Sequence, residues 1–328
     1  MTTKGLYSVP LDVSGVEECL FYHSIEMPDY GKVEGHWDLC GRFDDYVGHV
    51  DLAGKRVLDV GTASGFLTWE AEKRGADVVS FDADSGARFQ KLPFIDIPYA
   101  VDYQSWLKQA NEFRDRVRNS YWFAHRVLGS HARLAEGDVY QISPALGLFD
   151  VVIVGQILVH LSDGIAALRS IASRCAETLV IAEKMINSNE PTAHLVGRAD
   201  NPDLDYAFWH YSQGYFREIL GMLGFKIVRV ASSSYTCNLL KPPGPVEITT
   251  IVAERREPYS TQTVGAVLSE LGLATGGFFV CFPAAVRKDD GKISHSERLA
   301  ETIAWLESGY DIRALVVGHL SESESVNA

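Results

Sequence analysis

From residue 52 to residue 256, short apolar runs alternate with amphipathic stretches of helical length. That alternation is what most narrows the fold, because strands buried on both faces read as near-continuous apolar runs and the helices covering them read as one-sided stripes. It predicts an α/β protein with a mostly parallel sheet. The expected strands are Arg56–Val60, Asp77–Asp82, Arg133–Asp138, Phe149–Gly155, Thr178–Glu183, Lys226–Ala231 and Ile248–Glu254. Between them, Ser162 is placed to cap a helix carrying Ile165, Leu168 and Ile171 on one face. Ser212 is placed to cap another, carrying Tyr215, Phe216, Ile219, Leu220 and Leu223 and closed by Gly224.

Two connections are too long to be plain loops. Residues 85–131 form an insertion whose middle, Tyr103 to Leu128, reads as one or two aromatic-rich helices. The stretch from Ile186 to Tyr211 reads as irregular and ends in the cluster Tyr206-Ala207-Phe208-Trp209-His210-Tyr211; long loops of this kind in compact domains usually carry function. Residues 1–51 precede the sheet. Residues 257–328 form an α/β accessory region with a strand near Phe278–Phe282, a helix opened by the capping box Ser294-His295-Ser296-Glu297, and a last strand at Ala314–Val317.

Composition excludes several function classes. The net charge of −13 opposes a bulk nucleic-acid binder, since that affinity comes from Lys and Arg neutralising phosphates. Arg114, Arg116, Arg118 and Arg126 could hold one anionic group or simply form a solvated helix face interrupted by Glu112 and Asp115. Five scattered cysteines with no C-x-x-C pair argue for reduced thiols and a cytoplasmic location, and no apolar run reaches the ~18 residues of a membrane span.

The chemistry concentrates at strand ends. Val57-Leu58-Asp59-Val60 runs into Gly61-Thr62-Ala63-Ser64-Gly65 and then a helix, a turn that presents backbone N–H groups to a nucleotide-like ligand. A dinucleotide fingerprint needs G-x-G-x-x-G, whereas this turn is G-x-x-x-G with an acid two positions before the first glycine. That acid suits S-adenosylmethionine (SAM), whose methionine end bears an ammonium and a sulfonium. Asp82, with Asp84 as neighbour, ends the next strand where a carboxylate accepts from ribose hydroxyls, and Asp138-Val139 closes the third, suited to the adenine amino group and ring. Ala83, Gly155 and Gln156 complete the expected cofactor shell. A doubly wound protein with an unrelated ligand, or an NAD enzyme with a degraded fingerprint, remains the alternative.

Together these residues resemble a class I SAM-dependent methyltransferase, with a Rossmann-like sheet of seven strands whose last is antiparallel. More narrowly, Phe21-Tyr22-His23-Ser24-Ile25-Glu26-Met27, Gly35-His36-Trp37-Asp38-Leu39 and His160-Leu161-Ser162-Asp163 are similar to segments of the wobble-uridine tRNA methyltransferase-like group. The resemblance implies SAM held at Asp59, Gly61, Gly65, Asp82 and Asp138, under an N-terminal lid. Members using carboxy-SAM carry a tyrosine where Val159 stands and an arginine near the last strand, where Glu247-Ile248-Thr249 stands, so ordinary SAM is expected.

Methyl transfer requires alignment of the acceptor, and a base only when the acceptor carries a proton of high pKa. Candidate bases are His160, Glu183 and His210; His160 and Glu183 could equally serve to fix a loop, and His210 to pack one. Candidate acceptor contacts are Tyr22, Trp37, Tyr206, Trp209 and Tyr211, with His23 also on the lid. A metal site built from Glu183, His194 and His210 is the minor alternative, since no ligand spacing imposes one. The expected function is methylation of a small molecule, oxygen slightly favoured, by a possible homodimer. The competing functions are tRNA modification and a SAM-binding protein that transfers no methyl group.

Overall fold

The computed structural model describes residues 5–84, 103–196 and 207–256, with short strands at 278–280, 287–288, 291–292 and 314–316. The chain divides into two compact units, 1–258 and 259–328.

In chain order the first unit contains β1 (Ile25–Met27), β2 (Gly31–Val33), β3 (Trp37–Asp38), α1 (Phe43–Tyr46), β4 (Arg56–Val60), α2 (Phe66–Lys73), β5 (Asp77–Ala83) and α3 (Tyr103–Leu128). There follow β6 (Arg133–Gly137), β7 (Phe149–Gly155), α4 (Gly164–Ala172), β8 (Cys175–Glu183), β9 (Ala193–Leu195), β10 (Trp209–Tyr211), α5 (Gln213–Met222), β11 (Phe225–Cys237) and β12 (Gly244–Arg255). The main sheet has the order β3-β11-β12-β8-β7-β4-β5-β6. β4, β5, β6, β7 and β8 pair in parallel, while β12 runs antiparallel to both β8 and β11. These are the seven expected strands with the last reversed. An eighth, β3, comes from the N-terminal segment and pairs antiparallel with the end of β11.

Strand alternation divides the core into two layers. Val57, Val78, Val151, Ile153 and Val180 face α2, α3 and the N-terminal segment; Leu58, Val79, Val152, Val154 and Ile181 face α4 and α5. Successive strand side chains point to opposite faces, so a sheet covered on both sides needs apolar residues at every position, as β7 and β8 supply.

Several sequence expectations are corrected. The α4 cap is Asp163, whose carboxylate accepts the Ala166 N–H, and not Ser162. With the helix started one residue later, the inner face is Ala167, Leu168, Ile171 and Ala172, leaving Ile165 53% exposed. Ser212 does cap α5, accepting from Tyr215 N–H at 3.0 Å. The 186–211 stretch is not wholly irregular, for β9 and β10 pair antiparallel with His194 opposite His210. β11 and β12 extend well beyond their apolar middles, carrying Ser232–Thr236 against Pro245–Thr249. The first half of the 85–131 insertion lies outside the described residues; its second half is the single helix α3. In the second unit Phe278–Val280 pairs in parallel with Ala314–Val316, while the Ser294–Glu297 capping box falls outside the described residues.

Candidate active site

The turn after β4 is fastened to β5, because Gly61 N–H and Thr62 N–H both donate to Phe81 C=O, at 2.8 and 3.2 Å. Gly65, with φ 87°, caps α2, and a Cβ there would overlap the Trp69 indole, whose Nε1–H donates to Ser64 C=O. Gly61, at φ 80°, sits so close to Ile157 of the turn after β7 that a Cβ would overlap that side chain. Two non-glycine residues here, Ala63 (φ 49°) and Gln156 (φ 51°), also adopt the sparsely populated left-handed region, which clusters at ligand sites.

Asp59 is 1% exposed. Its Oδ2 accepts from Thr62 and Thr68 hydroxyls, both at 2.8 Å, and its Oδ1 is buried with no partner. Burial, only partly offset by those hydroxyls, raises its pKa to about 6. Asp82 accepts from Ala63 N–H at 2.8 Å through Oδ2 and from Ala83 N–H at 2.7 Å through Oδ1; each oxygen keeps a second lone pair. Burial raises this group as well. Asp138, exposed just past β6, accepts from Tyr140 N–H and opens a short turn containing Val139. Gly155 ends β7, and Gln156 N–H donates to Ala182 C=O.

The unpartnered Asp59 oxygen and the remaining lone pairs of Asp82 fit a cationic, nucleoside-bearing ligand laid across the ends of β4, β5 and β6. Asp59 would face its ammonium and sulfonium end, Asp82 its ribose and Asp138 its adenine.

The N-terminal segment closes over this turn. His23 N–H donates to the buried Ser64 hydroxyl at 3.0 Å; Trp37 N–H donates to Tyr22 C=O and Ser24 N–H to Trp37 C=O. Arg116 of α3 anchors the same segment by donating to Cys19 C=O at 2.9 Å. Tyr22 and Trp37 are half-buried and touch through their side chains. His23 is 9% exposed with Nδ1 unpartnered, and burial pushes its pKa down to about 3, so it is neutral.

At the far end of the site, Glu183 is 2% exposed at the end of β8 and accepts from Leu158 N–H at 2.9 Å, with Val159 N–H also bound to it. Burial raises its pKa to about 8. The hydroxyls of Tyr22, Tyr46 and Tyr211 all lie within its electrostatic reach. His160 is exposed at the end of the Leu158–His160 turn. His210 is half-buried, its pKa lowered by burial and then by Lys184 and His194. Trp209 Nε1–H donates to Ser162 C=O at 3.0 Å, and Tyr211, 4% exposed, stacks on Tyr215. Tyr206 lies outside the described residues. Among the described residues no three His, Cys, Asp or Glu side chains group around a metal position, so Glu183, His194 and His210 do not converge.

Sequence reasoning missed Tyr46. It is 2% exposed, stands edge-on to Tyr235, and its hydroxyl lies against Gly155. A tyrosine in a four-residue helix gives no signal of this; the contact exists because the N-terminal segment crosses the sheet. The arginines of α3 are engaged internally: Arg114 with Asp115, Arg118 with Glu136 and Arg126 with Asp12.

A family model described as a methyltransferase domain matches residues 39–230, more than half of the chain. The chain belongs to this methyltransferase family. It is a SAM-dependent enzyme of the class I fold, with SAM as its cofactor. Among solved structures it is similar to magnesium protoporphyrin IX methyltransferase from Synechocystis with bound S-adenosylhomocysteine, at 18% identity, 65% of this chain, 80% of that chain and TM-score 0.42. It is also similar to 1,6-didemethyltoxoflavin-N1-methyltransferase from Burkholderia thailandensis (16%, 66% and 75%, TM-score 0.37). A third is an O-methyltransferase family 2 protein from Planctomyces limnophilus in complex with apigenin (16%, 62% and 50%, TM-score 0.36). No curated protein matches this methyltransferase. No helix among the described residues is long and apolar enough to cross a membrane.

Proposed function

We propose that this methyltransferase acts on a small-molecule acceptor, at oxygen, with Glu183 as general base and Tyr22, Trp37, Trp209 and Tyr211 lining the acceptor's place. The observation that carries this reading is Glu183 itself: a buried carboxyl at the carboxyl edge of the sheet, where ligands of open α/β sheets bind, with a pKa raised to about 8. A base with proton affinity near the working pH is the effective kind, and an oxygen acceptor brings a proton that must leave. SAM, when bound, supplies an electrophilic methyl group on a sulfonium. The chain's part is to hold the cofactor at Asp59, Gly61, Thr62, Ser64, Gly65, Asp82, Ala83, Asp138, Val139, Gly155 and Gln156. It also excludes water with the clasped N-terminal segment, and takes the acceptor's proton onto Glu183 as the oxygen forms its new bond. His210, kept neutral at neutral pH, is the second candidate base.

The internal pairing of the α3 arginines and the net charge of −13 favour a small acceptor over RNA. The narrower resemblance to the wobble-uridine group, carried by the Phe21–Met27, Gly35–Leu39 and His160–Asp163 segments, does not extend this reading to tRNA. Assembly as a homodimer is supported by the outer edge of β11, paired to β3 at Thr236 and Cys237 with Val228 and Val230 exposed before them; a monomeric mass in light scattering at micromolar concentration would remove it. The test of function is transfer of labelled methyl from SAM to a panel of hydroxylated and phenolic small molecules, with purified tRNA in parallel. Methyl ethers on small acceptors are the expected products. Labelled tRNA without any small acceptor, or tight SAM binding with no transfer, would overturn the reading.

A further inference from the structure

Behind Asp59 a line of buried hydroxyls crosses from the cofactor turn to helix α3. Tyr121 of α3 donates to Ser80 at 2.9 Å, Ser80 lies 2.7 Å from Thr68, and Thr68 donates to Asp59 Oδ2 at 2.8 Å. Thr62 reaches the same oxygen at 2.8 Å. All are sealed from solvent: Tyr121 is 1% exposed, Ser80 and Thr68 0%, Thr62 2%.

Each hydroxyl has one proton to give. With Thr62 and Thr68 both donating to the carboxylate, Ser80 must donate to Thr68 and Tyr121 to Ser80. Every proton in the line points towards Asp59 Oδ2, and hydroxyls that donate to a carboxyl favour its charged form. The arrangement also occupies Oδ2 fully while Oδ1 stays buried without a partner.

We propose that Tyr121, acting through Ser80 and Thr68, is a positioning residue that holds Asp59 as a carboxylate with Oδ1 turned free for the cationic end of the cofactor. The inference rests on the reading of Asp59 as a cofactor ligand. It makes donor binding depend on a residue of α3 that touches no cofactor. Such chains strengthen one another in a low-dielectric interior. The other ionisable groups facing Asp59 are Asp82, which opposes its ionisation, and the phenols of Tyr46 and Tyr121.

The test uses the full chain with Tyr121→Phe, Ser80→Ala and Asp59→Asn. Two quantities are read against pH: the Asp59 carboxyl midpoint by 13C NMR in the free protein, and the affinity for S-adenosylhomocysteine by calorimetry. Loss of the line should raise the midpoint by about half a unit, a roughly threefold weaker binding on the acid side that vanishes at higher pH. Ser80→Ala is the smaller change and serves if Tyr121→Phe folds poorly. An unmoved midpoint and unmoved acid limb in both variants would overturn the proposal while Asp59→Asn still loses affinity. Unchanged affinity in Asp59→Asn would instead overturn the cofactor reading, and this inference with it.

Discussion

Replacing Glu183 by Gln tests the general-base assignment through stability as well as rate. Gln retains an oxygen that can accept from Leu158 N–H, so the support that Glu183 gives to the turn after β7 survives while the titration is removed. Glu183 is raised from an ordinary 4.5 to about 8 in the folded chain. The native protein therefore holds a proton that the unfolded chain releases above about 4.5. The associated stability is complete below that pH and is lost as pH rises through about 8. At about 1.4 kcal/mol per unit the rise amounts to about 5 kcal/mol, a ceiling that water penetration and relaxation lower. Urea denaturation at pH 5, 7 and 9 should show the wild type losing several kcal/mol relative to Glu183→Gln across that range. Methyl transfer by Glu183→Gln should fall by about 100-fold or more and lose its rise towards pH 8, with SAM affinity unchanged. Stability profiles that run parallel, or a rate profile that keeps its rise, would refute the reasoning.

Gly155→Ala should destabilise by about 1–3 kcal/mol and raise the KM for SAM, because the new Cβ would lie 2.9 Å from the Tyr46 hydroxyl and 3.2 Å from Leu67. Adding Tyr46→Phe should restore part of the melting temperature, and simple additivity would count against the contact. Ser64→Ala removes the acceptor of the buried His23 N–H and should cost about 1–3 kcal/mol. Stopped-flow fluorescence should show faster release of SAM from that variant as the N-terminal segment loosens.

How much was legible followed from how local each determinant is. Arg56–Val60 and Phe149–Gly155 were readable to the residue, because strands buried on both faces leave an unbroken apolar run ended by glycine. The second half of β11 was not, since Ser232-Ser233-Ser234 resembles a loop and becomes strand by pairing with β12. The β9–β10 pair depends on a register spanning 16 residues, which no periodicity within either short segment encodes. Asp59, Asp82 and Asp138 stood out because each lies at or just past the carboxyl end of its own strand. Tyr46 and the line from Tyr121 to Asp59 could not, since their partners are brought together by the crossing of the N-terminal segment and of α3 over the sheet.

The most direct test of the central claim is a crystal structure of the full chain with S-adenosylhomocysteine. The amino end of the ligand is expected at Asp59 Oδ1, the ribose hydroxyls on Asp82, the adenine beside Asp138 and Val139, and the sulfur facing a space bordered by Glu183, Tyr22 and Tyr211. Ligand bound elsewhere, or a sulfur turned away from Glu183, would contradict it.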